Sequence, residues 1–243
     1  MRNMRIDKFL SDMGICSRSD AAKAARGGNI TVDGVVVRRA DLHIDPDRAR
    51  VSYFGEEIGY KSAVVVMLNK PDGYISATDD PRDRTVLELL DDRCRRLGLF
   101  PCGRLDRDTL GLLLLTNDGD LCHRMISPKH HVEKVYYFHC EKPLSDADRE
   151  RLEGGVMLDG KLTLPAKLTL HDSHTSGELT LTEGKFHQVK RMLEAVGNRI
   201  TYLERIEFAG LKLDPTLARG EWRYLTPDEE SRLRNAAYGE KPE

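Results

Sequence analysis

No apolar run among the 243 residues approaches the roughly 20 needed to span a bilayer. The start, Met1-Arg2-Asn3-Met4-Arg5, leads into an amphipathic pattern instead of a signal peptide. A cytoplasmic protein with no membrane partner is expected. Cysteines are few and scattered: Cys16, Cys94, Cys102, Cys122 and Cys140 form no Cys-x-x-Cys pair, which argues against a disulfide framework and a zinc site and suits a reducing compartment. An excess of one charge is missing too, since 38 Lys and Arg stand against 40 Asp and Glu. Internal repeats and low-complexity stretches are absent. What remains, 40% hydrophobic and 32% charged, suits one or two soluble domains with a real core.

The near-neutral average hides segregation along the chain. Residues 1–39 hold eight Lys or Arg against four acids, and residues 93–107 hold five arginines against the single acid Asp106. Residues 184–193 carry Lys185, Lys190 and Arg191 and no acid. Separate basic segments on a neutral protein are what a shaped phosphate-binding surface requires, although solvated charged faces would give the same counts.

Ile6, Phe9, Leu10 and Met13 recur at helical spacing, and Gly14 suits a left-handed stop. Ser17 is a candidate N-cap for a second helix bearing Arg18, Lys23 and Arg26, stopped by Gly27-Gly28. Residues 29–32 and 35–37 around Asp33-Gly34 read as a hairpin, 43–46 as a loop, 51–54 as a strand and 55–63 as a linker.

Beyond the linker, residues 64–68 read as a buried strand ending in the turn 69–73, with 74–78 as its hairpin partner and helical spacing over 85–90. Strands are expected at 112–116, 132–141, 162–170, 177–182, 200–208 and 221–225. Helices are expected over 120–126, after the cap Ser145, and after Thr226-Pro227-Asp228-Glu229, with residues 239–243 frayed. Phe186, Val189, Met192, Leu193 and Val196 form one apolar helical stripe, leaving His187, Lys190 and Arg191 on the other face. Strands and helices without strict alternation predict an α+β sheet domain.

The chemistry centres on Gly103-Arg104-Leu105-Asp106-Arg107-Asp108-Thr109-Leu110-Gly111. In an extended segment Arg104 and Asp106 face one way and Leu105 the other. A carboxylate among arginines should stay ionised, as a carboxylate nucleophile requires, but a surface ion pair is the plainer reading of this stretch alone. Asp108 and Asp118 read as turn acids, and Lys70-Pro71 as shaping a strand end. His130-His131, read as adjacent strand residues, would point to opposite faces, so no metal pair is expected there.

Two resemblances change that balance. Arg5-Ile6-Asp7-Lys8-Phe9-Leu10, Ser17-Arg18-Ser19-x-Ala21 and Ile30-x-Val32-Asp33-Gly34 are together similar to an S4 RNA-binding domain. That resemblance implies RNA contacts from Arg5, Lys8, Arg18, Ser19, Lys23 and Arg26. Asn69-Lys70-Pro71-x-Gly73, the Gly103–Gly119 block, Lys134-x-Tyr136 and Glu183-Gly184-Lys185-Phe186-His187-Gln188-Val189-Lys190-Arg191-Met192, in this order, resemble the bacterial ribosomal RNA pseudouridine synthases. His130-His131 and the Phe186-His187 pair are closest to the RsuA-like, small-subunit group.

The resemblance implies an S4-like domain over 1–58 and a catalytic domain with a mixed or antiparallel sheet over 63–243. It implies isomerisation of one uridine of 16S ribosomal RNA, naked or in an assembling small subunit, by a monomer that needs no cofactor and no metal. Asp106 would be the essential carboxylate, Tyr136 would stack on the flipped base, and Lys190 would pair with Asp106. Arg104, Arg107, His130, His131, Lys185, His187 and Arg191 would contact RNA. The alternatives are a large-subunit enzyme of the same family and a non-catalytic ribosome-assembly factor. A glycoside-type hydrolase is disfavoured because no second acid has an equivalent setting.

Overall fold

The computed structural model describes residues 3–60 and 63–239. The expectation of a frayed tail concerns positions mostly outside that range. Two compact units are present: residues up to Val64 together with Leu90–Leu99, and Val65–Leu89 together with the chain from Phe100.

In the first unit, β1 (Met4–Arg5) leads directly into α1 (Ile6–Asp12), and α2 (Arg18–Arg26) follows. Ser17 caps α2 by accepting from the Asp20 amide. The hairpin β2 (Ile30–Val32) and β3 (Val35–Val36) turns at Asp33-Gly34, both with positive φ, as the Asp-Gly pair predicts. Residues expected to be a loop supply β4 (His43–Ile44), which pairs with β1. The expected strand over 51–54 stops one residue early: β5 (Val51–Tyr53) gives way to a Phe54-Gly55 turn, and β6 (Glu56–Ile58) pairs back where a linker was expected. Charged side chains at Glu56 and Glu57 disguise this exposed edge strand. Ile6, Phe9, Leu10, Ala21, Ala25, Ile30 and Val51 form the core. The short helix α3 (Asp92–Arg96) belongs to this unit, its Arg96 Nε donating to the Gly14 carbonyl at 2.9 Å.

The second unit is built on one sheet of nine strands. These are β7 (Val65–Lys70), β8 (Phe100–Pro101), β9 (Leu110–Thr116), β10 (Lys134–Cys140), β13 (Lys167–Leu170), β14 (Ser176–Leu181), β15 (Ile200–Phe208), β16 (Leu211–Lys212) and β17 (Trp222–Tyr224). The main order is β13-β14-β10-β15-β9-β7-β17, antiparallel except where β9 runs parallel to β15. A separate hairpin joins β11 (Met157–Leu158) and β12 (Lys161–Leu162), so the strand expected over 162–170 begins only at Lys167. Nor do residues 74–78 pair with β7 as a hairpin; Ile75 makes a lone bridge to Thr85, and β7 is flanked by β9 and β17. Helical spacing at 85–90 yields only a single 3₁₀ turn, Val86–Leu89.

Helices α4 (Gly119–Ile126), α5 (Asp146–Gly154), α6 (Gln188–Ala195) and α7 (Pro227–Tyr238) complete this unit. Asp118 is the N-cap of α4, accepting from the Leu121 amide, which fits its reading as a turn acid. Ser145 and Thr226 each close a capping box. Buried β7, β9, α4 and α7 residues form one core cluster, and buried β10, β14, α5 and α6 residues form another. The α+β class expected from the sequence is the class observed. No helix among the described residues is long and apolar enough to cross a membrane.

Candidate active site

Between β8 and β9 the chain leaves the sheet at Gly103 and returns at Leu110. Two interactions fix that excursion. Ser76 Oγ donates to the Leu105 carbonyl at 3.0 Å and accepts from the Leu105 amide at 3.0 Å, drawing Leu105 inward until it is 5% exposed. Lys70, with no exposed surface at all, donates from Nζ to the carbonyls of Pro71 (3.1 Å), Arg107 (3.0 Å) and Thr109 (2.8 Å). Burial pulls this ammonium down to about 8, against the nearby charges of Asp72, Asp108 and Asp106. The expected role of Lys70, shaping a strand end, thus takes a specific form: it ties β7 to both ends of the turn that follows Asp106. Leu105 is buried and Asp106 beside it is only partly so, in a loop that leads into β9, in keeping with the extended segment expected to feed a strand.

The Asp106 carboxylate meets α6. Lys190 Nζ lies 3.1 Å from one Asp106 oxygen, and His187 Nε2 lies 3.4 Å from the other, a contact that is ionic only when the ring is protonated. Lys190 also reaches Asp108 at 2.6 Å. Burial works against the Lys190 charge, but its bonds to Asp108 and Asp106 outweigh that and raise its pKa. Burial likewise pushes the Asp108 carboxyl up, and the bond to Lys190, the charge of that lysine and a backbone hydrogen bond together more than reverse the push. Asp108 is therefore part of the site's electrostatics and not only a turn acid.

The segment leading into α6 is stitched by Gln188, which donates to Glu183 at 2.7 Å and accepts from the Lys185 amide at 2.8 Å. His187 sits at φ 49° as the N-cap of α6, in the left-handed region, so it stands outside the helix. The expected apolar stripe holds for Val189, Met192 and Leu193, which are buried, but not for Phe186, which is 72% exposed and stacks on the His187 ring at 3.7 Å. Two residues before the helix begins, helical periodicity no longer governs where a side chain points.

Asp106 and Tyr136 line one cavity of about 520 Å³, shared with Arg104, Arg107, Lys185 and His187. Tyr136 is half-buried on β10, opposite Leu179 on one side and Arg205 on the other. Arg104 is exposed, whereas Arg107 is paired with Asp83 at 3.2 Å and Lys185 with Glu183. Three expected RNA contacts lie off this cavity. Arg191 turns to Asp159 at 2.6 Å, and His130 and His131 are exposed in and just after a 3₁₀ turn, Pro128–His130. The two histidines are thus not the strand pair the sequence suggests, because Pro128 starts a turn before β10 begins.

In the first unit Arg5, Lys8, Arg18, Ser19, Lys23 and Arg26 are all exposed. Arg5 pairs with Asp7 at 2.6 Å, Lys8 with Asp12 at 2.5 Å and Lys23 with Asp20 at 3.0 Å, so part of the basic charge is neutralised locally.

Two basic residues of the cavity had no role assigned from the sequence: Lys134, quoted only within Lys134-x-Tyr136, and Arg205, not named at all. Lys134 is 7% exposed and Arg205 is 1% exposed, and both line the wall with Phe208. The available signal was a basic residue at an inward position of an alternating strand, two residues from Tyr136 in one case and from Leu203 in the other.

The carboxylate paired with Lys190, in a cavity that Tyr136 also lines, belongs to an α+β sheet domain. The RNA pseudouridylate synthase family matches residues 64–195, and the S4 domain family matches residues 4–48. The chain belongs to the RNA pseudouridine synthase family and carries an S4 domain.

Among its relatives, an uncharacterized RNA pseudouridine synthase of Bacillus subtilis (strain 168), YtzG, is 44% identical over 93% of this chain and 96% of its own length. Ribosomal small subunit pseudouridine synthase A of Escherichia coli (strain K12) is 43% identical over 93% of this chain and 98% of its own. A solved pseudouridylate synthase superposes with a TM-score of 0.67 at 36% identity, covering 95% of this chain and 99% of that one.

Proposed function

We propose that the protein converts one uridine of 16S ribosomal RNA to pseudouridine, on the RNA or on an assembling small subunit. The observation that carries the reading is the Asp106–Lys190 pair at 3.1 Å on the wall of a cavity shared with Tyr136. The small-subunit target is supported by similarity along almost the whole chain to a relative named for that substrate.

The reaction breaks the bond between uracil N1 and ribose C1′ and forms one between C5 and C1′. C5 gives up its proton and N1 gains one, so the net change is an isomerisation that consumes no cosubstrate. The target base leaves its stack to enter the cavity, and Tyr136 offers it a ring face. Asp106 is the essential carboxylate, and Lys190 fixes its orientation and balances its charge. Arg104, exposed at the cavity, meets phosphate beside the target, and the exposed basic residues of the S4 domain add contacts that position without reading sequence. The protein acts as a monomer in the cytoplasm, with domains over 1–58 and 63–243.

The test is tritium release from 16S transcript labelled at uridine C5. Wild-type protein releases tritium, while folded Asp106→Asn releases none and keeps RNA affinity within about threefold, since the carboxylate serves chemistry more than binding. Failure of folded wild-type protein on both naked RNA and assembling particles sinks the proposal.

A further inference from the structure

The cavity contains two buried cations that the pairing of Asp106 with Lys190 leaves unused. Arg205 Nε donates to the Leu112 carbonyl at 2.8 Å, and its guanidinium lies over the Phe208 ring at 4.6 Å. Its Nη2 is buried with no hydrogen-bond partner. Thr109 Oγ1, the other buried polar side-chain atom without a partner among the described residues, belongs to a residue of the same cavity. Lys134 Nζ donates to the Val132 carbonyl at 2.8 Å and lies 5.4 Å from the Phe208 ring centre. Neither cation has an acid partner among the described residues, and burial pulls Lys134 down to about 8, with Arg205 pulling the same way. A buried guanidinium nitrogen without an acceptor is unfavourable by a few kcal/mol unless something entering the cavity accepts from it.

We infer that Arg205, supported by Lys134, forms the base-reading floor of the cavity, donating to the carbonyl oxygen at the uracil edge farthest from the sugar and thereby selecting uracil over cytosine. This inference rests on the proposed function and adds the residue that chooses the base. Asp106, with a quarter of its side chain exposed, belongs at the mouth with the ribose, and Arg205, almost wholly buried, belongs at the depth the ring reaches.

In uridine the atom across the ring from N1 is C4, which carries a carbonyl. Cytosine carries an amine there, and a guanidinium offers donors only, so cytosine would set donor against donor. The same floor also suits the product. Turning the ring about its N3–C6 axis exchanges N1 with C5 and the C4 carbonyl with the C2 carbonyl, so an oxygen faces Arg205 both before and after rejoining. No such symmetry holds for cytosine.

The experiment compares 16S transcripts carrying uridine or 4-thiouridine throughout, with C-linked product read by nucleotide chromatography. Sulfur accepts hydrogen bonds poorly, so wild-type kcat/KM is expected to fall at least about tenfold on the thio transcript. Arg205→Met is expected to lose about 100-fold on the uridine transcript, to keep RNA affinity, and to discriminate less than threefold between the two transcripts. Arg205→Lys, which restores a donor, recovers part of the loss.

Equal turnover of both transcripts by wild-type protein overturns the floor assignment without any variant having to fold. So does a folded Arg205→Met of wild-type activity. If wild-type protein turns over neither transcript, the proposed function itself fails, and the floor falls with it.

Discussion

Lys190 is shared between two carboxylates that have unequal claims on it. Asp108 is nearer, at 2.6 Å against 3.1 Å for Asp106, yet its side chain is 67% exposed where that of Asp106 is 26% exposed. Water screens the more exposed partner, which weakens the Asp108 contact and favours the Asp106 one. Lys190→Met is therefore expected to lower kcat about 100-fold, with RNA affinity unchanged, because it strips the partner from the carboxylate proposed to be essential. Asp108→Asn leaves Lys190 to Asp106 alone and is expected to keep kcat within about threefold. Single-turnover rates with saturating protein measure both, and a larger loss for Asp108→Asn than for Lys190→Met would reverse the ranking. The placement of Asp106 with Lys190 was legible through motif resemblance, and the inward turn of Leu105 through simple alternation. The sharing with Asp108 was not, because an acid in a turn looks the same in sequence whether it faces solvent or a helix contributed from 82 residues away. Arg205 was hidden for the opposite reason. Arginines are nearly always exposed, and only its place in the sheet shows that this one is buried.

At the scale of elements, Gly111 is where the loop bearing Asp106 becomes strand β9 and meets β15. It has φ 94°, and a Cβ built there would lie 2.7 Å from Glu204 Cγ and closer still to the Arg205 carbonyl. That crowding falls on the single parallel pairing of the sheet, Arg205 opposite Gly111, so one glycine lets the strand carrying Arg205 approach the segment carrying Asp106. Gly111→Ala is expected to destabilise by about 3 kcal/mol or more, since strain at positive φ adds to overpacking against backbone that cannot yield. Urea denaturation checks this, and a loss under 1 kcal/mol would show that the strands can part without harm. A sequence reader can see that this glycine ends a motif, but not what presses on it. The same limit explains the partner of β7. Local order favours residues 74–78, and the strand that pairs with β7 begins 40 residues beyond its last residue, Lys70, a separation that periodicity cannot register. Edge strand β6 and the turn before α6 were missed for a local reason: charged residues at an exposed edge and a left-handed cap leave no apolar rhythm to read.

For the molecule as a whole, the near-neutral charge conceals two buried lysines, Lys70 and Lys134, that oppose stability at physiological pH. Both are held down to about 8 by burial, whereas an unfolded chain keeps lysine near 10.4. Between those two values these two side chains bind fewer protons in the folded state than in the unfolded state, so their own contribution to stability rises with pH in that window. Below about 8 the penalty is fully present. Lys190 has the opposite sign: its pairing with the two aspartates raises its pKa, so its stabilising contribution is lost only as pH passes above the ordinary lysine value. Each buried lysine adds up to about 1.4 kcal/mol per pH unit to the slope. Lys134→Met should therefore flatten the rise in unfolding free energy between pH 8 and 10 by about that amount, measured by urea titration at several pH values. An unchanged slope would mean that Lys134 keeps its proton through this range. Function should move the other way. A deprotonated Lys134 removes one positive charge from the cavity beside Arg205, so on the proposed function turnover should decline above about pH 8 while the penalty of the buried ammonium lifts. On that reading the cavity costs stability in its working protonation state, which is what results when charge is buried to meet a substrate, not to hold the fold.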